Sequence, residues 1–129
     1  MAGGTCGLFP SLAEQKRKIM AKRKATALIA ESKITYEQRV DVYNTAIERY
    51  GVPAQSWMVI EEMSELAKEL CKMQRGQGDV DALADEIADV TIMLEQLRLM
   101  YDVNTLVCKH MDMKVNRLCS RLGMPEVST

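Results

Sequence analysis

Two segments, VIEEMSEL (59–66) and LADEIADV (83–90), constrain this chain more than any other feature. Aligned, Val59 falls on Leu83, Glu61 on Asp85, Glu62 on Glu86, Met63 on Ile87, Glu65 on Asp89 and Leu66 on Val90. Further on, Leu70 falls on Leu94. Each segment carries one layout: an apolar stripe at helical spacing, with paired carboxylates along its edge. Between them, RGQGD (75–79) supplies two glycines to break a helix and an Asp to cap the next. The pair reads as a helical hairpin.

The acids are the anomaly. At about 100° per residue, Glu62 lies only about 60–70° from the centre of the stripe Val59, Met63, Leu66, Leu70. Glu65 sits at its edge and Glu61 points away. A carboxylate beside a buried stripe is unfavourable unless something pairs with it. In an antiparallel hairpin the midpoints of Glu62/Glu65 and Glu86/Asp89 differ by roughly 4–5 Å of axial rise. Adjacent helix axes lie about 8–10 Å apart, so both pairs can reach one central ion. Four carboxylates that close repel and raise one another's pKa values, and a hard divalent cation removes the conflict. All-oxygen ligation suits Mg²⁺ or Mn²⁺ better than Ca²⁺ in a site that keeps waters and phosphates. A di-iron carboxylate bundle lacks its Glu-x-x-His motifs here, and the single histidine, His110, falls in another helix. The plain alternative is surface acids paired with lysines such as Lys68.

The remaining chain agrees with helices. Of 129 residues, 47% are hydrophobic but only 5% aromatic, which favours aliphatic and Met packing over a sandwich or barrel. Ser11 with Glu14 resembles a capping box opening a helix to about Ser32. Thr35 with Gln38 opens a second helix ending at Tyr50-Gly51, and Pro53 fits the first turn of a third, running to about Gln74. A fourth is predicted from about Val80 to Tyr101, and a fifth from Asn104 or Thr105 to just before Gly123. No strand signal is present. The expected fold is all-α: an antiparallel bundle of four to five helices in residues 35–129, preceded by a basic helical extension, 1–34.

Cys6, Cys71, Cys108 and Cys119 form no CxxC pair and read as small core hydrophobes in a reducing compartment. The opening MAGGTCGLFP lacks a basic n-region and an adequate apolar run, and no segment is long enough to span a bilayer. A cytoplasmic protein without a membrane partner is expected. Net charge is −1, yet Lys16, Arg17, Lys18, Lys22, Arg23 and Lys24 cluster in the first helix. No aromatic residues are interleaved to stack on bases, so a solvated face or dimerisation arm is expected there rather than a nucleic-acid contact. The competing functional reading is a non-catalytic helical interaction module that touches nucleic acid through this helix.

EEMSE (61–65) followed by EIAD (86–89) resembles the EExxE…ExxD signature of the MazG-like, all-α nucleoside triphosphate pyrophosphohydrolases. The likeness extends to AQSWMVIEEMSELAKEL and LADEIADVTIMLEQL, and weakly to KVNRLCSRL (114–122). It covers about residues 44–122. It implies hydrolysis of NTPs or dNTPs between the α- and β-phosphates to a nucleoside monophosphate and pyrophosphate. It also implies Mg²⁺ held by Glu62, Glu65, Glu86 and Asp89, in a homodimer or homotetramer with sites completed across subunits. Glu65 or Glu61 is then the candidate to take a proton from the attacking water. Lys114, Arg117 and Arg121 share one face of the fifth helix and are candidates to bind the triphosphate, with Lys68 nearer the acids. For the base, Trp57 can stack and Gln55 can hydrogen-bond, although each has an equally good packing role.

Overall fold

A computed structural model of the chain describes residues 13, 14, 16, 17, 20 and 32–127. The chain divides into two compact units, Met1–Thr35 and Tyr36–Thr129. In the first, Ala13, Glu14, Lys16, Arg17 and Met20 are helical and exposed. The Ser11 cap, and Lys18, Lys22, Arg23 and Lys24 of the basic cluster, lie outside the described residues.

The second unit is built, among its described residues, from four helices: α1 (Tyr36–Tyr50), α2 (Val52–Gln74), α3 (Val80–Met100) and α4 (Asn104–Arg121). No strand occurs among the described residues. The all-helical fold expected from composition and periodicity is therefore present.

Local chemistry sets the joints. Gly51 has φ 86, a left-handed backbone in which a Cβ is strained. Its N–H closes α1 on the Ile47 carbonyl at 2.9 Å, and its own carbonyl accepts from Gln55 N–H at 3.1 Å to open α2. One residue ends a helix and starts the next. At the second joint, Asp79 Oδ1 accepts from the Asp81 N–H at 3.1 Å, the cap expected from RGQGD. Gly78 is required there for space. A Cβ on it would meet Met73 Sδ, and would lie 2.7 Å from the Met73 amide nitrogen and 2.8 Å from its Cα. The close approach of Gly78 to Met73 fixes which faces of α2 and α3 meet.

Most tertiary contact in the unit lies between α2 and α3, while α4 touches only α3. Ser56 Oγ and Tyr101 Oη, 3.4 Å apart, join the start of α2 to the end of α3, so the two run antiparallel. α1 is tied across to α3 through Glu95. Its Oε2 accepts from Tyr43 Oη at 2.7 Å and from Arg39 Nε at 3.3 Å. Burial, then the bond to Glu95, pushes the Tyr43 phenol up to about 12.

The core is thin. The buried apolar residues among those described are Tyr43, Val59, Met93 and Cys119, and they are joined by buried Gln55, Glu69 and Gln96. Of the cysteines expected inside, Cys119 is buried but Cys71 and Cys108 are exposed. Both fall on helix faces that no other helix of the unit covers. No helix among the described residues is long and apolar enough to cross a membrane.

Candidate metal centre

The stripe of α2 that meets α3 is not the purely apolar one. Val59 is buried and Leu66 half-buried, but Met63 and Leu70 are exposed at 53% and 46%. The residues turned inward are Gln55, Val59, Glu62, Leu66, Glu69 and Met73. These follow the same 4-3 helical spacing one position out of step. On α3, Glu86, Val90, Met93 and Leu97 face inward, and Ile87 and Leu94 are exposed. Glu62 thus stands within the packed seam rather than beside it. The turn geometry at Gly78 outweighs hydrophobicity in choosing the face.

That register brings three acids together. One carboxylate oxygen each from Glu62, Glu86 and Asp89 lies within 4.8 Å of the others. Glu62 projects from the middle of α2, and Glu86 and Asp89 come from successive turns of α3. None of the three is buried, so the cluster is open to solvent. Burial, then the charges of Asp89 and Glu86 and after them Glu61 and Glu65, raises the Glu62 carboxyl above its ordinary value. Burial followed by the Glu65 charge raises Glu86, with Lys68 opposing. The site holds more negative charge than its own cations neutralise. An all-oxygen donor set of this kind is what a hard divalent cation takes.

Glu65 stands outside the triad, its carboxylate on the Lys68 ammonium one turn along α2. That hydrogen bond raises the Lys68 pKa and keeps the ammonium protonated beside the acids. Glu61 is exposed on the side away from the seam, where the helical wheel places it. Lys114, Arg117 and Arg121 are exposed on α4, and no hydrogen bond or ion pair joins them to the acids among the described residues. Of the predicted ligands, the structure gathers three; of the predicted cations, it brings in Lys68.

Two features escaped the sequence reading. Glu69 is buried at 6% exposure and paired with Lys72 Nζ at 2.6 Å. The Tyr43–Glu95–Arg39 cluster has no local motif, because its partners lie more than fifty positions apart. A signal for Glu69 did exist: Gln55, Glu62 and Glu69 recur every seven residues on one helix face. No protein-family model, curated protein or solved structure matches the chain.

Proposed function

We propose that this chain is a divalent-metal-dependent nucleoside triphosphate pyrophosphohydrolase of the MazG-like kind. It would cleave NTPs or dNTPs between the α- and β-phosphates and release a nucleoside monophosphate and pyrophosphate. The observation that carries this reading is the meeting of Glu62, Glu86 and Asp89 oxygens within 4.8 Å across two antiparallel helices. Their chemistry suits Mg²⁺ or Mn²⁺ and is poorly explained by packing, since the same positions filled by apolar residues would strengthen the seam.

Bound there, Mg²⁺ supplies positive charge to the phosphate oxygens and to the attacking water. The chain's own residues do the rest. Glu62, Glu86 and Asp89 hold and orient. Glu65, kept ionised on Lys68, or Glu61 beside it, is placed to accept the proton of a water attacking phosphorus. Lys68, held protonated by Glu65, offers a cation for the phosphate chain. Lys114, Arg117 and Arg121 add further cations if their helix or that of a second copy closes over the nucleotide. A homodimer or homotetramer fits the exposed apolar residues of α2 and α3, which include Ile60, Met63, Ile87 and Leu94.

The test is a panel of NTPs and dNTPs with Mg²⁺, scoring pyrophosphate against single phosphate release. Pyrophosphate from at least one nucleotide, abolished in folded Glu86→Gln and Asp89→Asn, is the expected result. Phosphate release alone, or no hydrolysis across the panel, overturns the reading. So does Mn²⁺ affinity, measured by calorimetry, that is unchanged in both variants.

A further inference from the structure

A cavity of about 350 Å³ opens in the same unit, lined by Tyr50, Ala54, Gln55, Met58 and Met93. It lies at the end of the α2–α3 seam remote from the RGQGD turn. Gln55 is seven residues before Glu62 on the same inward stripe, about 10 Å along α2. Met93 is four residues beyond Asp89, about 6 Å along α3. The cavity and the acid triad therefore occupy one continuous groove.

The lining is apolar except for one group. Gln55 is only 7% exposed, and its side-chain amide makes no hydrogen bond to any described residue. A buried amide without a partner is unfavourable, and near-universal pairing of such groups makes each exception informative. The amide presents one carbonyl acceptor beside one N–H₂ donor. Met58 and Met93 offer thioethers, which pack well against aromatic rings and adapt to their shape. The volume falls in the range of small-molecule pockets, and a few polar groups on an apolar wall is how such pockets fix orientation.

We propose that this cavity is the nucleobase pocket and that Gln55 hydrogen-bonds the base edge. The inference rests on the pyrophosphohydrolase reading: phosphates at Glu62, Glu86 and Asp89 place a nucleoside's base up the groove toward Met93. A planar heterocycle with a donor and an acceptor side by side on one edge satisfies both halves of the Gln55 amide. A lipid or purely apolar ligand would leave the amide unpaired. Gln55 is then a specificity residue and takes no part in the chemical step.

Nucleosides, which carry no phosphate, separate this pocket from the metal centre. Each common ribo- and deoxyribonucleoside is titrated into the full chain, without metal, with the methionine methyl groups followed by NMR. At least one should shift Met58 and Met93. Ala54→Leu, which fills the cavity and leaves Gln55 untouched, should abolish those shifts. In hydrolysis assays Gln55→Ala should lose about tenfold or more in kcat/KM for the preferred nucleotide, through KM. Gln55→Glu, which removes the donor, should change the order of preference among bases, and both variants should keep wild-type Mn²⁺ affinity. Circular dichroism melts identify any variant that fails to fold, and Ala54→Leu then decides. Absence of nucleoside shifts at Met58 and Met93, or base preferences unchanged in every variant, overturns the pocket. If nucleosides bind while no triphosphate is cleaved, the parent reading fails and the pocket stands as a nucleoside site.

Discussion

Glu62→Gln tests the charge argument at its centre. The substitution keeps the shape of the side chain and removes one of the charges converging on the seam. At the 4.8 Å that bounds the triad, two unit charges repel by about 0.9 kcal/mol in water and about 3.5 kcal/mol at an effective dielectric of about 20. The cluster is open to solvent, so the screened end governs, and the relief at Glu62 is about 1 kcal/mol. For a domain of this size that raises the melting temperature of metal-free protein by about 4–8 °C. The pH dependence has a definite sign. The Glu62 carboxyl is raised above 4.5 in the folded chain, so folded protein retains protons that unfolded protein has lost. Its contribution is fully present below the unfolded value and is lost as pH rises through the folded one. Metal-free wild type should therefore lose stability as pH rises above 4.5, and Glu62→Gln should lose less. Metal reverses the ranking, because ligand at a hundred times its Kd stabilises by about 2.7 kcal/mol and only the intact site binds it well. Thermal melts in chelator and in excess Mn²⁺, at one protein concentration, read all of this. Glu62→Gln melting below wild type in chelator would refute the reasoning and point to a buried structural role. Equal gains from Mn²⁺ in both proteins would refute it as well.

Three further outcomes follow from particular contacts. Gly78→Ala should lower stability by about 1–3 kcal/mol, since the new methyl overlaps the Met73 backbone, which cannot yield as a side chain can; a denaturant midpoint equal to wild type would contradict this. Tyr43→Phe should cost about 1 kcal/mol and delete a phenol that titrates near 12 in an alkaline absorbance titration. Light scattering should give a dimer or tetramer, and Leu94→Glu, which charges an exposed apolar position of α3, should shift it toward monomer; a wild type that is monomeric and fully active at assay concentration would dismiss the assembly.

The helices and their joints were legible because they depend on short-range chemistry. Gly51, Pro53, Asp79 and the glycines of RGQGD act within a turn of their own positions, so one chain is enough to read them. The meeting of Glu62 with Glu86 and Asp89 was also legible, since a tight hairpin leaves little freedom of height between its helices. The facing stripe was not. Val59-Met63-Leu66-Leu70 and Gln55-Val59-Glu62-Leu66-Glu69 are both valid helical stripes, and hydrophobicity alone selects the first. The contact of Gly78 with Met73 selects the second, and that contact is tertiary. Glu65 escaped for a related reason. A Lys one turn away competes with any distant ion for its carboxylate, and a linear repeat cannot rank the two.

The choice of stripe also explains why so much apolar surface is left outside. A seam carrying Gln55, Glu62, Glu69, Glu86 and Gln96 contributes little hydrophobic stabilisation for its length, since each polar group displaces an aliphatic one. Met63, Leu70, Ile87 and Leu94 would have made the stronger seam, yet they face away from it. A helix pair that spends its inner face on a site must find burial on its outer faces, and α1 and α4 do not cover them. A second copy of the same hairpin can, because a two-fold axis lets one apolar patch bury its own counterpart. On this reasoning assembly and metal binding are two consequences of a single register. A substitution that moved the apolar stripe inward would strengthen the lone hairpin while dismantling both the triad and the interface.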